Sequence, residues 1–357
     1  MSVGYDLSGI KSPKIDSFIE GLKDASQNEF FNRCKDILKN EIKKINYPQS
    51  PDKIDNYIDN ISANISNSIT LSTMHGCPPE EQEAICKYLI KEKNLHTFVK
   101  LNPTLLGYNY VRNLFNEMGY SYIQLKKESF TNDIQYNDAI QMLKELKTFA
   151  TKHNRIFGIK LSNTLPVINS RKKLPTDEMY MSGRTLFPLT INLARRISEE
   201  FDGNIKISYA GGVSHFNIKD IFATGIYPIT LATNLLKPGG YLRLKQLAED
   251  LEQNLLNYNA NKIDNEKLKL IADSAVKNKD YFKNKKITDN HKINKQLPLF
   301  DCALTPCVEN CPIHQDIPEY IKLINDKQYE QALKLILQKN PLPHITGYIC
   351  DLSLIHI

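Results

Sequence analysis

Short apolar runs alternate with longer amphipathic stretches along residues 1–250 of the chain. Six runs have the length and the β-branched or aromatic content typical of strands: Ile69–Thr73, Thr97–Leu101, Tyr120–Leu125, Ile156–Leu161, Ile205–Tyr209 and Pro228–Ala232. The stretches between them predict helices at Glu80–Ile90, Tyr136–Thr151, Leu186–Phe201 and Ile218–Thr224. Because strands and helices alternate, the pattern predicts an α/β fold built on a parallel sheet, either open or closed into a barrel.

The loops after the predicted strands favour the closed arrangement. Polar or glycine-rich residues follow several strands, at His75–Cys77, Asn102–Pro103, Ser162–Thr164 and Gly211–Gly212. Functional residues spread over many strand ends are typical of a (β/α)8 barrel. A dinucleotide-binding fold would instead place a G-x-G-x-x-G motif after one strand, and the sequence has no such motif there. We therefore expect a TIM-barrel-like domain over residues 1–250.

The chain changes character after this domain. Residues 251–297 are rich in Lys, Asn and Asp, which predicts a helical linker. Residues 298–357 contain several cysteines and two short amphipathic stretches, Ile317–Leu323 and Tyr329–Leu337, that predict helices. We therefore expect a small α-helical domain over residues 298–357.

Composition and charge narrow the classes of function. Hydrophobic residues make up 41% of the 357 residues, which is enough for a sizeable core. The net charge is +6, but the 46 basic and 40 acidic residues are interleaved, which argues against a nucleic-acid-binding surface. The sequence has no apolar run long enough to span a bilayer and no secretory signal at its start, so we expect a cytoplasmic location and no membrane partner.

The most specific chemical signal is a run of cysteines near the end of the chain. Cys302, Cys307 and Cys311 lie within ten residues, Pro312 follows, and Cys350 stands further on. Cysteine thiolates hold iron–sulfur clusters, and close spacing lets one loop present several sulfur atoms. Zinc is the alternative metal, although zinc sites prefer two close C-x2-C pairs and the spacings here are C-x4-C and C-x3-C. The seven cysteines and the lack of a secretory signal argue against a disulfide framework.

The segment around these cysteines resembles a known cluster domain. Its motifs Pro306–Pro312, Asp316–Ile321 and Asn340–Cys350 are similar to the N-terminal domain of dihydropyrimidine dehydrogenase and to the small subunit of glutamate synthase. The resemblance implies two [4Fe-4S] clusters, with Cys302 and Cys307 serving one, and it assigns Cys311 and Cys350 to the other. Leu299 stands where dihydropyrimidine dehydrogenase has a further cysteine. Because each cluster usually needs four thiolates, these cysteines alone complete neither one.

The preceding domain resembles a second group of proteins. It is loosely similar to the flavin barrels of dihydroorotate and dihydropyrimidine dehydrogenases. Longer motifs identify the chain as a member of the YgfK-type oxidoreductase subunits, whose family name refers to a selenate reductase: Met1–Asp6, Lys11–Asp16, Thr73–Pro79, Phe98–Gly107, Met179–Arg184 and Lys237–Tyr241. In that family the barrel precedes the cluster domain, and a module for FAD and NAD(P)H follows. No residue of this sequence supports selenate itself as the substrate.

The resemblance also predicts that the chain is part of a longer protein. Met1 would be an internal methionine, and the first two barrel strands of the family would be absent. Leu352–Ile357 matches neither a helix cap nor a metal motif, and it spells one reading frame of a common transposon-end sequencing adapter. We therefore expect both domains to be incomplete and the fragment itself to be inactive.

Candidate flavin-binding residues follow two of the predicted strands. Gly211 and Gly212 come after one strand, and Ala232 and Thr233 come at the end of the next. In barrels these two positions often bind a phosphate through backbone amides and a helix N-terminus. The resemblance implies that this phosphate would belong to FMN. The alternative is a tight turn that requires glycine.

Two lysines near the ends of apolar strands are further candidates. Lys100 and Lys160 would lose hydration inside a barrel, so an inward lysine needs a partner there. The run Lys100–Pro103 is similar to that of a lysine that contacts flavin in dihydropyrimidine dehydrogenase, and Lys160–Asn163 competes for the same role. The alternative is a lysine that reaches solvent from the end of its strand.

Cys77 is the candidate catalytic residue. It lies in the run His75–Pro78, placed like the loop cysteine that donates a proton in dihydropyrimidine dehydrogenase. The resemblance implies that its thiol could protonate a carbon while a flavin delivers hydride. The alternative is a small buried residue, which is also our interpretation of Cys86 and Cys34. Arg184 could bind an anionic substrate or a phosphate, or it could cap a surface loop.

These interpretations favour an iron–sulfur, flavin-linked oxidoreductase subunit. Electrons would pass from NAD(P)H through FAD and the [4Fe-4S] clusters to the barrel, to a small-molecule acceptor or to a redox partner subunit. One alternative is flavin-dependent reduction of a pyrimidine-like substrate in the barrel, which requires FMN and Cys77. The other is an electron-transfer subunit that has no catalysis of its own and serves a molybdenum-containing partner.

Overall fold

The structure is a computed structural model of the chain. It describes residues 1–42, 44, 51–72, 76–170, 172, 174–233, 235–236, 240–252, 262–283, 308 and 311–350. The chain divides into two compact units. The first consists of Met1–Leu231 and Leu247–Phe282, and the second consists of Ala232–Gln246 and Lys283–Ile357.

Strands and helices alternate through most of the first unit. The strands are β1 (Ser2–Val3), β2 (Ser68–Ser72), β3 (His96–Leu101), β4 (Phe157–Leu161), β5 (Leu165–Ile168), β6 (Glu178–Met181) and β7 (Lys206–Tyr209). The α-helices up to residue 283 are α1 (Leu7–Ile10), α2 (Pro13–Lys23), α3 (Glu29–Ile42), α4 (Pro51–Asp59), α5 (Pro79–Lys91), α6 (Tyr108–Glu117), α7 (Lys127–Asn132), α8 (Tyr136–Lys152), α9 (Phe187–Glu200), α10 (Ile218–Ala223), α11 (Gly240–Glu252) and α12 (Asn265–Ala275). The α-helices beyond it, in the second unit, are α13 (Ile317–Asn325), α14 (Tyr329–Lys339) and α15 (Pro343–Ile349). Short 3-10 helices lie at Pro103–Leu106, Gly183–Leu186 and Lys279–Tyr281. None of the helices in the described part of the chain is long and apolar enough to cross a bilayer.

A parallel sheet forms the centre of the first unit, with the strand order β1-β2-β3-β4-β7. Its register aligns an apolar row across four strands, which consists of Leu71, Val99, Ile159 and Ile207. Each of these side chains is at most 1% exposed, because α5, α8 and α9 pack on this side of the sheet. We call this the helix-facing side. Parallel strands joined by helices confirm the predicted α/β fold.

A two-stranded insertion follows β4. The strands β5 and β6 pair antiparallel, with Leu165 opposite Met181. This hairpin precedes α9, and the apolar pattern of the sequence did not predict it. Its short strands interrupt the βα alternation, so the sequence pattern there indicates only that a helix follows.

Two of the predicted strands are not regular strands. Tyr120–Leu125 forms a turn in which the Ile123 N–H donates to the Tyr120 carbonyl, and only Leu125 makes an isolated bridge. The Arg112 guanidinium donates to the carbonyls of Tyr120 and Ile123, so an edge of the segment is occupied by a side chain rather than by a strand. In Pro228–Ala232 a single bridge joins Ile229 to β7.

The stretch interpreted as a linker contains a helix that packs into the first unit. Leu268 and Ala272 of α12 are fully buried, and α12 packs against α9. The Asn192 side chain of α9 donates to the carbonyl of Ala272 at 3.3 Å. The predicted helix is therefore present, and its apolar face belongs to the core of the first unit. The domain boundaries themselves stay a prediction.

The second unit contains the short helices α13, α14 and α15. The helices predicted at Ile317–Leu323 and Tyr329–Leu337 correspond to α13 and α14, which pack against each other. Lys339 at the end of α14 forms a 2.8 Å ion pair with Asp316 at the start of α13. These contacts hold the two helix ends together just after Cys311 in the chain.

Candidate functional site

Two lysines lie side by side on the side of the sheet opposite the helices, which we call the inner side. The register pairs Lys100 of β3 with Lys160 of β4. Ser72 and Ser208 extend the same row on the outer strands. Because side chains alternate along a strand, this row points away from Ile159 and its apolar neighbours. The two lysines therefore do not compete for one position, since both extend from the same surface.

The electrostatics of this pair favour a negatively charged ligand. Burial lowers the pKa of Lys160, and burial together with the Lys160 charge lowers the pKa of Lys100. Two positive charges that lie close together and have lost part of their hydration destabilise each other. A bound anion would offset both effects, so the pair is suited to a site for negative charge.

An aromatic ring lies beside the lysines on the inner side. A Cβ added to Gly158 would lie 2.5 Å from the Phe98 ring, so the ring covers the backbone of this glycine. Phe98 is two residues before Lys100, and Gly158 is two residues before Lys160. Neither residue was among the site residues predicted from the sequence. A glycine within an apolar strand was the available signal, because it marks a close approach of another group.

A buried carboxylate holds the loop that contains Cys77. The Gly76 N–H donates to Asp133 at 2.7 Å, and the Gln82 side chain donates to the Cys77 carbonyl at 2.8 Å. Gly76 has a φ of 81°, a conformation that favours glycine. His75 lies outside the described residues, so its role stays a prediction. The position of Cys77 is thus fixed by contacts on both sides of it.

The same carboxylate connects this loop to the end of β3. Asp133 also accepts hydrogen bonds from the Asn102 amide at 3.1 Å and from the Thr104 hydroxyl at 2.7 Å. Asp133 is 4% exposed, and these neutral donors satisfy its oxygens inside the protein. Sequence reasoning missed Asp133, because it follows α7 rather than a predicted strand.

The Cys77 thiol is protonated at neutral pH. Burial, followed by the charge of Glu81, raises the pKa of Cys77 to about 11. The sulfur atom lies 3.9 Å from a carboxylate oxygen of Glu81 in the first turn of α5. A thiol of this kind can donate a proton, but it is a poor nucleophile and a poor metal ligand. The more buried Cys86 lies in the hydrophobic core, and burial raises its pKa as well.

Gly211 and Gly212, which we call the glycine loop, follow β7 at the same edge of the sheet as the end of β4. Their φ angles are 120° and 73°. A Cβ on Gly211 would lie 2.6 Å from the Thr190 hydroxyl, and one on Gly212 would lie 2.7 Å from the Phe187 nitrogen. The close approach of this loop to α9 therefore requires glycine at both positions. This packing supports the tight-turn interpretation, and it is compatible with phosphate binding.

The backbone N–H groups of the glycine loop are available as hydrogen-bond donors. Within the described part of the chain, no hydrogen bond uses the N–H of Gly211 or Gly212. Ala232 and Thr233 are exposed and belong to the second unit, so their part in a phosphate site stays a prediction. Arg184 is exposed in the 3-10 helix before α9.

Two of the four predicted cluster ligands are described by the structure. Cys311 and Cys350 are free thiols with partial exposure, whereas Cys302 and Cys307 lie outside the described residues. The Cys350 N–H donates to the Thr346 carbonyl at 2.9 Å and so ends α15. Free, accessible thiols fit the ligand chemistry of an iron–sulfur cluster. The described residues contain no group of three or more potential metal ligands, so the remaining ligands of a cluster would come from elsewhere.

Two family matches together cover residues 1–354. Residues 1–283 match the N-terminal TIM-barrel domain of oxidoreductase YgfK. Residues 277–354 match dihydropyrimidine dehydrogenase domain II, 4Fe-4S cluster, so this part of the chain is a 4Fe-4S domain. The two matches overlap at residues 277–283.

Individual relatives show how much of a longer protein the chain represents. The YgfK protein of Escherichia coli strain K12, which carries the name of an oxidoreductase, is 46% identical over 98% of this chain and 34% of its own length. The NADPH-Fe(3+) oxidoreductase subunit beta of Geobacter sulfurreducens is 38% identical over 14% of this chain and 7% of its own length. The NADP(+)-dependent formate dehydrogenase subunit beta of Moorella thermoacetica is 44% identical over 13% of this chain and 6% of its own length. The chain thus spans about a third of the length of the relative that it matches throughout.

Proposed function

Because the chain belongs to the YgfK oxidoreductase family, through the N-terminal TIM-barrel domain of that family, we propose that its barrel binds FMN. We further propose that the whole protein passes electrons between NAD(P)H, flavin and [4Fe-4S] clusters. The observation that supports the flavin site best is the pair of Lys100 and Lys160 on the inner side of the sheet. Such a pair attracts negative charge, and a positive charge beside a flavin ring favours its reduced, anionic form.

The residues at the end of the sheet fit the parts of FMN. Lys100 and Lys160 would lie against the polar edge of the ring, and Phe98 offers an apolar surface beside them. The N–H groups of Gly211 and Gly212 would bind the phosphate. When bound, FMN would supply hydride transfer. The protein would hold the ring, balance its charge and limit its contact with water.

The proposed electron path extends beyond this chain. The printed names of two relatives include NADPH or NADP(+), which supports a pyridine nucleotide as the electron donor. FAD and the NAD(P)H site would lie in parts of the longer protein, and the clusters would carry electrons onward. The acceptor would be a small molecule or a redox partner subunit, with a molybdenum enzyme as one possibility. No described residue favours selenate over another acceptor.

A second candidate function is the reduction of an unsaturated substrate within the barrel. The protonated state of Cys77 supports it, because the pKa of about 11 keeps a proton on the sulfur atom. The Cys77 thiol would give this proton to one carbon of the substrate while the neighbouring carbon accepts a hydride. Asp133 and Gln82 would keep the thiol in place through their bonds to the loop.

Titration with FMN tests the flavin site. We expect the anaerobically purified chain to quench the fluorescence of FMN with one site per chain. Lys100→Met and Lys160→Met should each weaken binding about tenfold, because each removes one positive charge from the site. Lys91→Met is the matched control, since Lys91 is exposed at the end of α5. Failure of both the unaltered chain and the longer protein to bind FMN would contradict the flavin proposal and favour an electron-transfer subunit.

Metal analysis tests the cluster proposal separately. Iron and acid-labile sulfide should be present in the longer protein that contains this chain, and Cys311→Ser and Cys350→Ser in that protein should each lower both. Cys34→Ser is the control, because Cys34 lies in α3 of the first unit. Bound zinc without sulfide would contradict the iron–sulfur assignment of these thiols.

A further inference from the structure

The segment that ends the first unit packs against the helix that supports the glycine loop. Tyr281 lies in the 3-10 helix Lys279–Tyr281 and is 5% exposed. Its ring contacts the ring of Phe187, with 4.8 Å between the centroids. Phe187 is also the residue whose nitrogen would meet a Cβ at Gly212. The Tyr281 carbonyl accepts a 3.0 Å hydrogen bond from the Tyr120 hydroxyl, which fixes the segment in place.

One amide side chain connects Tyr281 to the glycine loop. Asn217 donates to the Gly212 carbonyl at 3.0 Å and to the Tyr281 hydroxyl at 3.1 Å. The other atom of the same amide, Oδ1, accepts a 2.8 Å hydrogen bond from the Ser214 N–H. Asn217 is 3% exposed, so water does not replace these partners easily. Three contacts thus fix the plane of this amide, and two of them lie on the loop that follows β7.

We propose that Tyr281 is a positioning residue for the glycine loop: through Asn217 it holds the Gly212 carbonyl and so keeps the loop N–H groups in the conformation that binds a phosphate. This inference rests on the proposed flavin site for its functional consequence. The hydroxyl is the only acceptor that Asn217 finds outside its own loop among the described contacts. Without it, one buried N–H of Asn217 would lose its partner and the amide plane would be less restricted.

Tyr281 lies where the barrel domain meets the 4Fe-4S domain along the chain, so its contact with Asn217 also concerns the connection between the two domains. The two family matches overlap at residues 277–283, and the first unit ends at Phe282. The segment that leads into the 4Fe-4S domain is therefore bonded to the candidate phosphate loop of the barrel. Because coupling between two sites is reciprocal, a ligand on the glycine loop should also steady the segment around Tyr281.

Hydrogen exchange on the full chain tests the positioning role without any ligand. In Tyr281→Phe, exchange at the Ser214 amide should become about fivefold faster, which corresponds to the loss of one buried hydrogen bond. Tyr209→Phe is the matched control. Tyr209 is also buried against Phe187, with 6.4 Å between the ring centroids, but its hydroxyl has no hydrogen-bond partner among the described residues. Equal exchange at Ser214 in both variants would overturn the proposal.

The affinity for FMN tests the functional consequence. Tyr281→Phe should weaken FMN binding about fivefold and Tyr209→Phe should leave it unchanged. Bound FMN should slow exchange in residues 279–282 of the unaltered chain. If the unaltered chain binds FMN and both variants bind it equally well, the positioning role is wrong. If Tyr281→Phe loosens the loop and neither the unaltered chain nor the longer protein binds FMN, the positioning role stands and the flavin proposal fails.

A second variant protects the test against misfolding. Asn217→Asp keeps the acceptor for the Ser214 N–H, but the carboxylate cannot donate to the Gly212 carbonyl. It should weaken FMN binding at least as much as Tyr281→Phe does. Melting temperatures of all three variants separate loss of the fold from a local change in the loop. A folded Asn217→Asp protein with unaltered FMN affinity would also overturn the proposal.

Discussion

The two sides of the central sheet differ although they are built from the same strands. On the helix-facing side, Ile159 and its row are fully buried under α5, α8 and α9. On the inner side, the next residue, Lys160, stands in a row with Lys100 and Ser72. These three side chains are only partly buried, whereas Ser208, at the far end of the row, is buried. Because alternate residues of a strand point to opposite sides, one short strand contributes both to the hydrophobic core and to the candidate site. Residues that stabilise the fold and residues suited to chemistry therefore alternate along the same strand.

Substitutions of two neighbouring residues of β4 should differ most in their effect on stability. Ile159→Ala should lower the free energy of unfolding by about 4 kcal/mol, because it leaves a cavity in a fully buried row. Lys160→Met should change it by less than about 1 kcal/mol, since the inner side lacks such packing. Denaturant unfolding followed by circular dichroism measures both. Similar losses for the two variants would mean that the inner side also carries the stability of the barrel.

Substitution in the glycine loop should give the next largest loss of stability, because the loop lies at the end of the sheet and packs on α9. Gly212→Ala combines a positive φ with a Cβ 2.7 Å from the Phe187 nitrogen. We expect a loss of about 2 to 3 kcal/mol in the free energy of unfolding. Gly76→Ala is the control, because Gly76 has a φ of 81° but its added Cβ would meet only the Asn132 carbonyl oxygen, at an ordinary contact distance of 3.9 Å.

The two glycines separate the costs of backbone strain and of close packing. Gly76→Ala should lower the free energy of unfolding by only about 1 kcal/mol, which is the cost of the backbone conformation alone. If both variants cost the same, the approach of the glycine loop to α9 is not a packing requirement. The positive φ angles would then be the remaining structural reason for glycine at these two positions. A requirement for glycine that a bound ligand imposes would be favoured.

The sequence predicted the parts of the fold that local patterns determine. The apolar runs around Val99 and Ile159 become strands, as predicted. Alternate residues of these strands are buried on the helix-facing side, and those positions must be apolar because the helices pack on them. Tyr120–Leu125 has a similar pattern but forms a turn, since the Arg112 side chain occupies its carbonyls. That contact depends on the three-dimensional arrangement of α6, which the pattern does not contain.

The candidate site was predictable only in part, for the same reason. Cys77, Lys100 and Lys160 stood out because polar or reactive residues near strand ends are visible in the sequence. The adjacency of the two lysines follows from the strand register, which no local pattern fixes. Asp133 supports the Cys77 loop from a position 57 residues away from Gly76, so its role became visible only in the structure.

The thiols give a further contrast between the sheet edge and the helix layer. Alkylation of Cys77 by iodoacetamide should rise about tenfold per pH unit until the pH approaches its pKa, because only the thiolate reacts. That pKa is about 11. Glu81→Gln removes a negative charge that raises the pKa, so the variant should react faster at pH 8. Peptide mass spectrometry separates Cys77 from Cys86, which is fully buried and should remain unmodified.

The outcome at Cys77 bears on its proposed chemistry. A rate that already levels off below pH 9 would mean that the thiolate is stabilised in the folded protein. Such a thiol would be a nucleophile rather than a proton donor, and the proposed reduction within the barrel would lose its acid. Labelling of Cys86 at the same rate would instead show that the helix layer opens under the conditions of the assay.

The smallest change in the free energy of unfolding is expected at Tyr209, a polar residue on the helix-facing side. Its hydroxyl is buried with no hydrogen-bond partner among the described residues, so Tyr209→Phe should leave the free energy of unfolding unchanged or raise it by up to about 1 kcal/mol. Tyr281→Phe should lower it by about 1 kcal/mol, because Asn217 loses an acceptor. Denaturant unfolding of the two variants side by side measures the difference. A clear loss in Tyr209→Phe would show that its hydroxyl makes a hydrogen bond in the folded protein, as the hydroxyl of Thr97 on the same side does with the Leu95 carbonyl.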